Sequence, residues 1–333
     1  MSEDTPLALR PLGTTELRIS PIGLGLAALG RPGYINLGHG EDFAEGRSVE
    51  AMQRRAHDVL DAAWRLGVRY FDAARSYGQA EAFLARWLED RGLDPVIGSK
   101  WGYTYTAGWR VEAEAHEIKD HSLAVLCRQW GESRSLLGSA LDLYQIHSAT
   151  LASGVLKNAA VLNELARIKA QGIRIGFTTS GPAQAETIER ALAIEIDGRR
   201  LFDTVQATWN LLETSAGAAL QAAHDAGLGV IVKEALANGR LTARNHAPAD
   251  GAVRSALTSL ADRHAATPDA LAIAAVLSRP WVDLVLSGAA SVGQLESNLQ
   301  AVHLEAIWRD RDVDEFRQTP EAYWRTRAGL AWN

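Results

Sequence analysis

Residues 204–233, TVQATWNLLETSAGAALQAAHDAGLGVIVK, contain the pattern that decides the fold. An apolar run over 204–209 has the length of a strand, residues 215–226 have helical periodicity, and a second apolar run follows over 228–233. Gly227 stands between the helix and the second run, where a left-handed residue commonly ends a helix before a strand. The stretch therefore predicts a strand–helix–strand unit of a parallel sheet.

The same unit recurs along the chain. Short apolar runs predict eight strands over 19–26, 68–72, 96–100, 141–147, 173–178, 204–209, 228–233 and 282–286. The intervening patterns predict helices over 48–66, 79–90, 118–136, 158–170, 183–193, 215–226, 252–264, 268–278 and 293–302. Apolar runs without strict polar alternation are typical of parallel strands that are buried on both faces. Eight such units favour an α/β fold of the (β/α)8 TIM-barrel type over an open doubly wound sheet, which usually has fewer strands.

Nothing in the composition divides the chain into parts. The 333 residues are 47% hydrophobic and 22% charged, which is the balance of an ordinary globular protein. No repeat, linker or low-complexity tract interrupts them. We expect a single barrel domain over 1–333, with an N-terminal β-hairpin from residues 7–23 at the barrel bottom and a C-terminal tail over the active-site mouth.

Charge and cysteine content exclude several classes of function. Lys and Arg number 34 against 40 Asp and Glu, with no basic run, so nucleic acid is not an expected partner. No apolar stretch reaches the ~18 residues of a membrane span, and the N-terminal residues lack a signal-peptide pattern. The single Cys127 cannot form an internal disulfide, and His116 and His121 have no third ligand at metal-site spacing. We expect a cytoplasmic protein without a metal or a membrane partner.

Polar residues stand at the predicted carboxyl ends of the strands, where TIM barrels have their active sites. Asp72 ends the second strand, Lys100 the third and His147 the fourth, and Tyr77 follows in the loop after the second strand. A buried lysine requires a carboxylate partner, so we expect a pair between Asp72 and Lys100. The ammonium is expected to lower the pKa of the Tyr77 phenol. Such a phenol would act as a general acid and base at a carbonyl or hydroxyl carbon.

Three motifs carry a resemblance to a known family. Residues 71–78 read FDAARSYG, Ser99 and Lys100 end the third strand, and residues 142–147 read DLYQIH. They resemble the F-D-T-A-x-x-Y-G signature, the strand-end lysine and the D-L-Y-x-x-H segment of the aldo-keto reductases, with Ala73 in place of Thr. The resemblance covers nearly the whole chain. It implies a catalytic tetrad of Asp72, Tyr77, Lys100 and His147.

The resemblance also implies a reaction and a cofactor. An aldo-keto reductase is an NAD(P)-dependent oxidoreductase that transfers a hydride between nicotinamide and a carbonyl or alcohol substrate (an aldehyde, ketone or sugar), here with Tyr77 as general acid and base. The cofactor would lie extended across the barrel mouth without a Rossmann fold. The implied cofactor contacts are Gly25, Leu26, Ala27, Asp72, Thr178, Thr179, Gln206, Trp209, Glu234, Leu236, Asn238, Gly239, Arg240, Gly288, Ser291, Gln294 and Asn298. The expected substrate contacts are Tyr77, Trp101 and His147.

The segment expected to hold the adenosine end indicates which cofactor is used. Many relatives carry Lys or Arg there for a 2′-phosphate, whereas residues 288–308 contain neither. A phosphate without a cation partner loses strong, charge-assisted hydrogen bonds. We therefore expect NAD rather than NADP, unless a remote Arg or Lys folds into the site.

Other interpretations of the same residues stay open. Lys100 at a strand end would suit a Schiff-base aldolase if burial lowered its pKa, although a paired carboxylate opposes this. A barrel with this tetrad would also suit a non-catalytic, cofactor-binding sensor subunit. Trp209 would lie beside the nicotinamide or fill the core, and the tail residues Tyr323, Trp324 and Trp332 would cap the pocket or pack on the barrel. The sequence leaves open the substrate, the reaction direction, the oligomeric state and the roles of loops 30–46 and 101–115.

Overall fold

The computed structural model describes residues 7–43 and 46–333, and in it eight parallel strands close into a barrel. The strands are β1 (Ile22–Gly25), β2 (Tyr70–Asp72), β3 (Val96–Trp101), β4 (Leu143–Ala149), β5 (Arg174–Thr179), β6 (Thr204–Thr208), β7 (Gly229–Lys233) and β8 (Leu284–Ser287). Each strand pairs in parallel with the next, and β8 pairs with β1. The predicted (β/α)8 barrel is confirmed. Residues 1–6 of the expected domain and 44–45 of loop 30–46 lie outside the described residues.

In the described part of the chain, ten α-helices alternate with the strands or follow them. They are α1 (Val49–Arg65), α2 (Ala80–Arg91), α3 (Leu123–Leu137), α4 (Ala159–Lys169), α5 (Gln184–Leu192), α6 (Gly217–Asp225), α7 (Gly251–His264), α8 (Pro268–Leu277), α9 (Val292–Leu299) and α10 (Pro320–Ala328). Several begin where a Ser, Asn or Thr side chain accepts a hydrogen bond from a backbone N–H in the first turn, which stabilises the helix start. None of these helices combines the length and hydropathy that a membrane span requires.

A short β-hairpin closes the end of the barrel opposite the strands' carboxyl ends. Arg10–Pro11 pairs antiparallel with Arg18–Ile19. Leu12, between them, is fully buried and packs against side chains from the barrel interior. Gly13 adopts φ of +56°, and a Cβ there would lie 2.3 Å from the backbone nitrogen of Gly229, so only glycine fits. The predicted hairpin at the barrel bottom is confirmed.

Three aspartates fasten strands together at this bottom end. Each precedes an even-numbered strand, and its carboxylate accepts the backbone N–H of a residue near the start of the preceding odd-numbered strand. The pairs are Asp142 with Ile97 at 2.8 Å, Asp203 with Ile175 at 2.9 Å and Asp283 with Val230 at 2.8 Å. Each aspartate also donates its own N–H to the carbonyl of the same residue. The carboxylates therefore satisfy strand donors at the barrel's edge, where regular pairing ends.

The segment after β3 differs from the sequence prediction. Helix 118–136 was expected, but α3 begins only at Leu123, and Glu117–Lys119 forms a strand that pairs with Tyr103–Tyr105. Ile118, which extended the apparent helical pattern, is more than half exposed. Its position in an exposed hairpin, rather than on a buried helix face, explains why apolar spacing misplaced the helix start.

We predict that two replacements of Asp142 change the free energy of unfolding at pH 7 in opposite directions, with Asn raising it and Ala lowering it. Burial raises the pKa of its carboxyl to about 6, so ionisation should lower the free energy of unfolding as pH rises from about 4 through 6. Asp142→Asn keeps an acceptor for the Ile97 N–H and should remove this pH dependence. Asp142→Ala leaves that buried donor unpaired and should cost about 1–3 kcal/mol. Urea unfolding at pH 4.5 and pH 7 tests both, and equal stability of the two variants at pH 7 would contradict the assignment.

Candidate active site

A cavity of about 600 Å³ opens at the carboxyl ends of the strands. Its size lies within the range of small-molecule and cofactor sites. The walls come from the loop after β1, the loop after β7, the start of α9 and the segment after α10. The floor carries the polar residues that the sequence places at the strand ends, including Asp72, Tyr77 and His147.

The Lys100 ammonium connects the members of the expected tetrad. Its Nζ donates to Oδ2 of Asp72, to the carbonyl oxygen of Ala73 at 2.9 Å and to Oη of Tyr77 at 3.3 Å. Lys100 and Asp72 are nearly fully buried. The His147 ring meets the Tyr77 ring edge to face, with centroids 5.5 Å apart. The four residues predicted from the strand ends therefore lie together in one cluster.

Asp72 is held by more donors than the sequence indicates. Besides Lys100 at Oδ2, its Oδ1 accepts from Tyr70 Oη at 3.2 Å, Gln145 Nε2 at 3.3 Å and Gln206 Nε2 at 3.2 Å. These donors fill the hydrogen-bonding capacity of a carboxylate that is almost fully buried. Gln206, one of the implied cofactor contacts, thus also binds the aspartate.

The expected direction of the Tyr77 pKa is wrong for this site. Burial raises the pKa of Tyr77 well above its ordinary value, and the Asp72 carboxylate raises it further, although the Arg31 guanidinium lowers it. The Lys100 ammonium is present as expected, but its charge is already balanced by Asp72. In this structure Tyr77 is therefore a phenol that keeps its proton.

His147, on the cavity floor, is a neutral imidazole. Burial lowers the pKa of its ring well below the ordinary value, and the nearby charges of Lys100, Lys233 and Arg31 lower it further. Its backbone carbonyl contacts the Nε2 of His121 at 2.9 Å. At neutral pH the ring can orient an oxygen by hydrogen bonding, and it carries no charge of its own.

The structure divides the expected cofactor contacts into two groups. The residues of the first group line the cavity; they are Gly25, Ala27, Asp72, Gln206, Glu234, Leu236, Asn238, Gly239, Gly288, Gln294 and Asn298. The residues of the second group do not line it; they are Leu26, Thr178, Thr179, Trp209, Arg240 and Ser291.

The residues of the second group have structural partners instead. Thr178 accepts the Ser148 N–H, Thr179 contacts Gln184, Trp209 packs against Trp281, Arg240 pairs with Asp250, and Ser291 caps α9. Leu26 is fully buried in the core. The interpretation of Trp209 as a core residue is therefore the one that the structure favours.

Trp101 does not face the cavity. It is fully buried in the core and packs against His121, so it is not among the residues that we propose to contact substrate. Successive side chains of a strand point to opposite faces; since Lys100 points into the barrel mouth, Trp101 points towards the helices. This alternation was readable in the sequence. Tyr103, two residues later, lines the cavity.

Arg31 is a cavity residue that sequence reasoning missed. It is only 3% exposed, and its Nη1 donates to the Ser76 carbonyl at 3.0 Å and to Glu117 Oε2 at 2.8 Å. Its guanidinium lies 5.2 Å from the Tyr77 ring centroid and 4.7 Å from that of Trp332. Arg31 therefore connects the loop after β1, the loop after β2 that carries Tyr77, and the chain's last segment.

A partly buried ion pair joins α10 to the residue that follows β7. Both carboxylate oxygens of Glu234 accept from Arg327 Nε, at 3.0 and 2.9 Å. Burial alone would raise the pKa of Glu234, but Arg327 and Lys233 lower it to about 2. Glu234 thus lines the cavity as an ionised group that fastens the segment after the barrel. No local pattern connects residues so far apart in sequence.

The tail aromatic residues have two different environments. Trp332 lines the cavity, and its ring stacks on His116 with centroids 3.9 Å apart. Tyr323 and Trp324 are buried on the barrel, where Tyr323 Oη accepts from Asn210 Nδ2 at 3.0 Å. Of the two alternatives, Trp332 therefore borders the pocket and the other two pack on the barrel.

Comparison with known proteins gives a consistent family. The sequence profile of the Aldo/keto reductase family matches residues 21–318. The chain is 24% identical over 327 residues to the "Uncharacterized oxidoreductase YqkF" of Bacillus subtilis (strain 168), a match that covers 90% of this chain and 92% of that protein. It is 28% identical over 159 residues to the pyridoxal 4-dehydrogenase of Microbacterium luteolum, which covers 41% and 42% of the two chains.

Solved structures share the architecture. The aldo-keto reductase AKR11C1 from Bacillus halodurans (holo form) superimposes with a TM-score of 0.70 and 22% sequence identity, and the match covers 94% of this chain and 97% of that chain. At this identity the likeness supports the fold alone.

We predict that Arg327→Met destabilises the protein, because it leaves the buried Glu234 carboxylate without its main partner. The expected loss is about 2–3 kcal/mol in the free energy of unfolding, together with faster tryptic cleavage before α10. The exposed Arg325, on the same helix, provides the matched control. Arg325→Met should change stability by less than about 0.5 kcal/mol. Equal urea midpoints for the two variants would contradict the role given to the ion pair.

Proposed function

The chain belongs to the Aldo/keto reductase family, and on that premise we propose that it is an NAD(P)-dependent oxidoreductase acting on a carbonyl or alcohol substrate (an aldehyde, ketone or sugar). The observation that carries the proposal is the Tyr77–Lys100–Asp72 chain of hydrogen bonds, with His147 beside it, on the floor of the cavity. In this arrangement Tyr77 supplies a proton, and the neutral His147 ring beside it can orient the oxygen that receives the proton. This suits chemistry at a carbonyl oxygen.

The residues at one end of the cavity fit a dinucleotide. Gly288 and Gly293 leave open space where a side chain would stand. Asn238 Oδ1 is buried in the wall without a partner among the described residues and can accept a hydrogen bond from a ligand hydroxyl. Gln294 and Asn298 follow on α9. When bound there, the nicotinamide cofactor supplies or accepts the hydride.

The protein's own groups manage the proton. In reduction, the protonated Tyr77 phenol donates to the substrate oxygen as negative charge develops on it, and the Lys100 ammonium stabilises the phenolate that results. The Asp72 carboxylate pairs with the Lys100 ammonium and holds it in place. The neutral His147 orients the same oxygen and does not compete as an acid. In oxidation, Tyr77 must first lose its proton. Because its pKa is raised, this step requires alkaline pH.

We propose NAD as the preferred cofactor, on the basis of Asp269. This residue lines the cavity beside Asn298, and its Oδ2 accepts from Asn298 Nδ2 at 2.8 Å and Ser297 Oγ at 2.7 Å. No ion pair of Asp269 occurs among the described residues. Its carboxylate suits a ribose hydroxyl and repels a phosphate. A remote arginine, Arg244, does reach the cavity, but Asp42 binds it.

The alternative functions have less support. In a Schiff-base aldolase, Lys100 would attack as a free amine, yet its three protons already have acceptors in Asp72, Ala73 and Tyr77. A sensor subunit would not require the tetrad to lie together as it does. For the remaining features we propose a cytoplasmic location and a small-molecule substrate that meets the aromatic side chains of Tyr34, Tyr103 and Trp332 in the cavity wall.

We predict that Tyr77→Phe lowers kcat by about 10²–10⁴-fold while leaving cofactor binding nearly unchanged, since only the transferable proton is removed. A panel of aldehydes, ketones and sugars with NADH and NADPH, followed by absorbance at the cofactor band, measures the effect. The wild-type oxidation rate should also rise into the alkaline range, whereas the reduction rate should not. A sensor would bind cofactor without turnover, and an aldolase would turn over without nicotinamide; both results would refute the proposal.

We predict that Asp269→Asn narrows the preference for NADH over NADPH. The wild-type protein should bind NADH at least about tenfold more tightly, because the carboxylate faces the added phosphate. The variant should gain affinity for NADPH and lose little for NADH, as measured by isothermal titration calorimetry. Asp262→Asn, at an exposed position on α7, is the matched control. Wild-type preference for NADPH would show that Asp269 does not set the choice.

A further inference from the structure

Lys233 is a second ammonium group in the cavity, and the proposed proton transfer does not use it. It is the last residue of β7, and its side chain is largely buried but lines the cavity. Its Nζ donates to Thr208 Oγ1 at 3.0 Å. Thr208 is also its register partner on β6. The ammonium is therefore fixed at the top of two adjacent strands, at the cavity surface.

The charge of Lys233 is incompletely balanced. Its nearest carboxylate oxygen is Oε1 of Glu234, at 3.9 Å. That carboxylate is already engaged by Arg327 through hydrogen bonds to both oxygens. Two cations thus share one anion at this edge of the cavity. By contrast, Lys100 has Asp72 as its own partner, and Arg31 has Glu117.

The position of Lys233 places this charge beside the proposed nicotinamide site. Gln206, two residues before Thr208 on β6, lines the cavity on the floor where the tetrad lies. The loop from Glu234 to Gly239, which follows Lys233 directly, lines the groove leading away towards α9. A dinucleotide that extends from the tetrad along this loop passes over the end of β7. Its reactive ring would therefore lie near the Lys233 charge, which is close enough to His147 and Lys100 to affect their electrostatics.

We propose that Lys233 makes this cavity bind the reduced cofactor more tightly than the oxidised one. The inference rests on the proposed function. NAD⁺ and NADH carry the same phosphates, but the oxidised nicotinamide ring has one additional positive charge. A fixed, largely buried ammonium repels that positively charged ring and leaves the neutral, reduced ring unaffected. Lys233 is thus a specificity-determining residue for the oxidation state of the cofactor.

The other charges around Lys233 make the effect dependent on pH. Burial lowers the pKa of Lys233 to about 8, and the charges of Arg327 and Lys100 act in the same direction, against those of Glu234 and Asp72. His147, beside Tyr77 on the cavity floor, is neutral at this pH. The Lys233 charge is therefore present at pH 7 and lost as pH rises through about 8. The discrimination against NAD⁺ should weaken over the same interval.

The test is a pair of equilibrium titrations without substrate, with NAD⁺ and with NADH, by isothermal titration calorimetry at pH 7 and pH 9.5. For the wild-type protein, NADH should bind at least about tenfold more tightly than NAD⁺ at pH 7. At pH 9.5 NAD⁺ should gain affinity and NADH should not. Lys233→Met should show the weaker discrimination at both pH values, mainly through tighter NAD⁺ binding.

Two further variants separate charge from packing. Lys233→Arg keeps a cation and should preserve the preference at both pH values, since arginine does not titrate in this range. Lys157→Met removes an exposed lysine and should behave as wild type. Equal affinities of the wild-type protein for the two cofactor forms, or an unchanged preference in a folded Lys233→Met, would overturn the inference while leaving the proposed function intact. Binding of neither cofactor form, nor of NADP⁺ or NADPH, would instead refute the proposed function.

Discussion

The buried ion pair between Lys100 and Asp72 is the interaction on which the barrel mouth depends. Transfer of two charges from water to a protein interior is expensive, and the attraction between them compensates only when their remaining hydrogen-bonding capacity is filled. Here it is filled: Lys100 has three acceptors, and Asp72 accepts at both oxygens. The ion pair therefore needs no further partner to balance its charges. Burial of Tyr77, with the Asp72 carboxylate acting in the same direction, raises the pKa of its phenol, and the neighbouring ammonium is already paired.

The sequence contained enough information for the barrel and for the tetrad. Both depend on local signals, since strand-length apolar runs define the eight units and a polar residue at the end of such a run identifies the mouth. Strand alternation also excludes Trp101 from the cavity, since Lys100, the residue before it, points into the barrel mouth. Apolar spacing misplaces the start of α3, because Ile118 in an exposed hairpin continues the spacing of that helix.

Other features of the site were not predictable from local patterns. The contacts of Arg31 with Glu117 and of Glu234 with Arg327 join residues 86 and 93 positions apart, and no periodicity relates them. Whether the pKa of Tyr77 rises or falls depends on whether the effect of burial, which raises it, exceeds that of nearby cations, which lower it. That comparison requires the distances between the phenol and the charged groups, which the sequence does not contain. The single domain over residues 1–333 stays a prediction. For the aromatic tail residues the sequence left two alternatives, and only the contacts separate Trp332, which borders the pocket, from Tyr323 and Trp324, which pack on the barrel.

The aspartates at the barrel bottom have a consequence for how the fold can be divided. Each aspartate makes two hydrogen bonds to the strand that precedes its own, one through its carboxylate and one through its backbone N–H. These bonds join consecutive strands into three pairs: β3 with β4, β5 with β6 and β7 with β8. A chain break between two pairs, for instance between α4 and β5, keeps each aspartate carboxylate on the same fragment as the strand that it binds. A break within a pair places the carboxylate and that strand on different fragments. The natural modules for circular permutation or for recombination between barrels are therefore two-strand units.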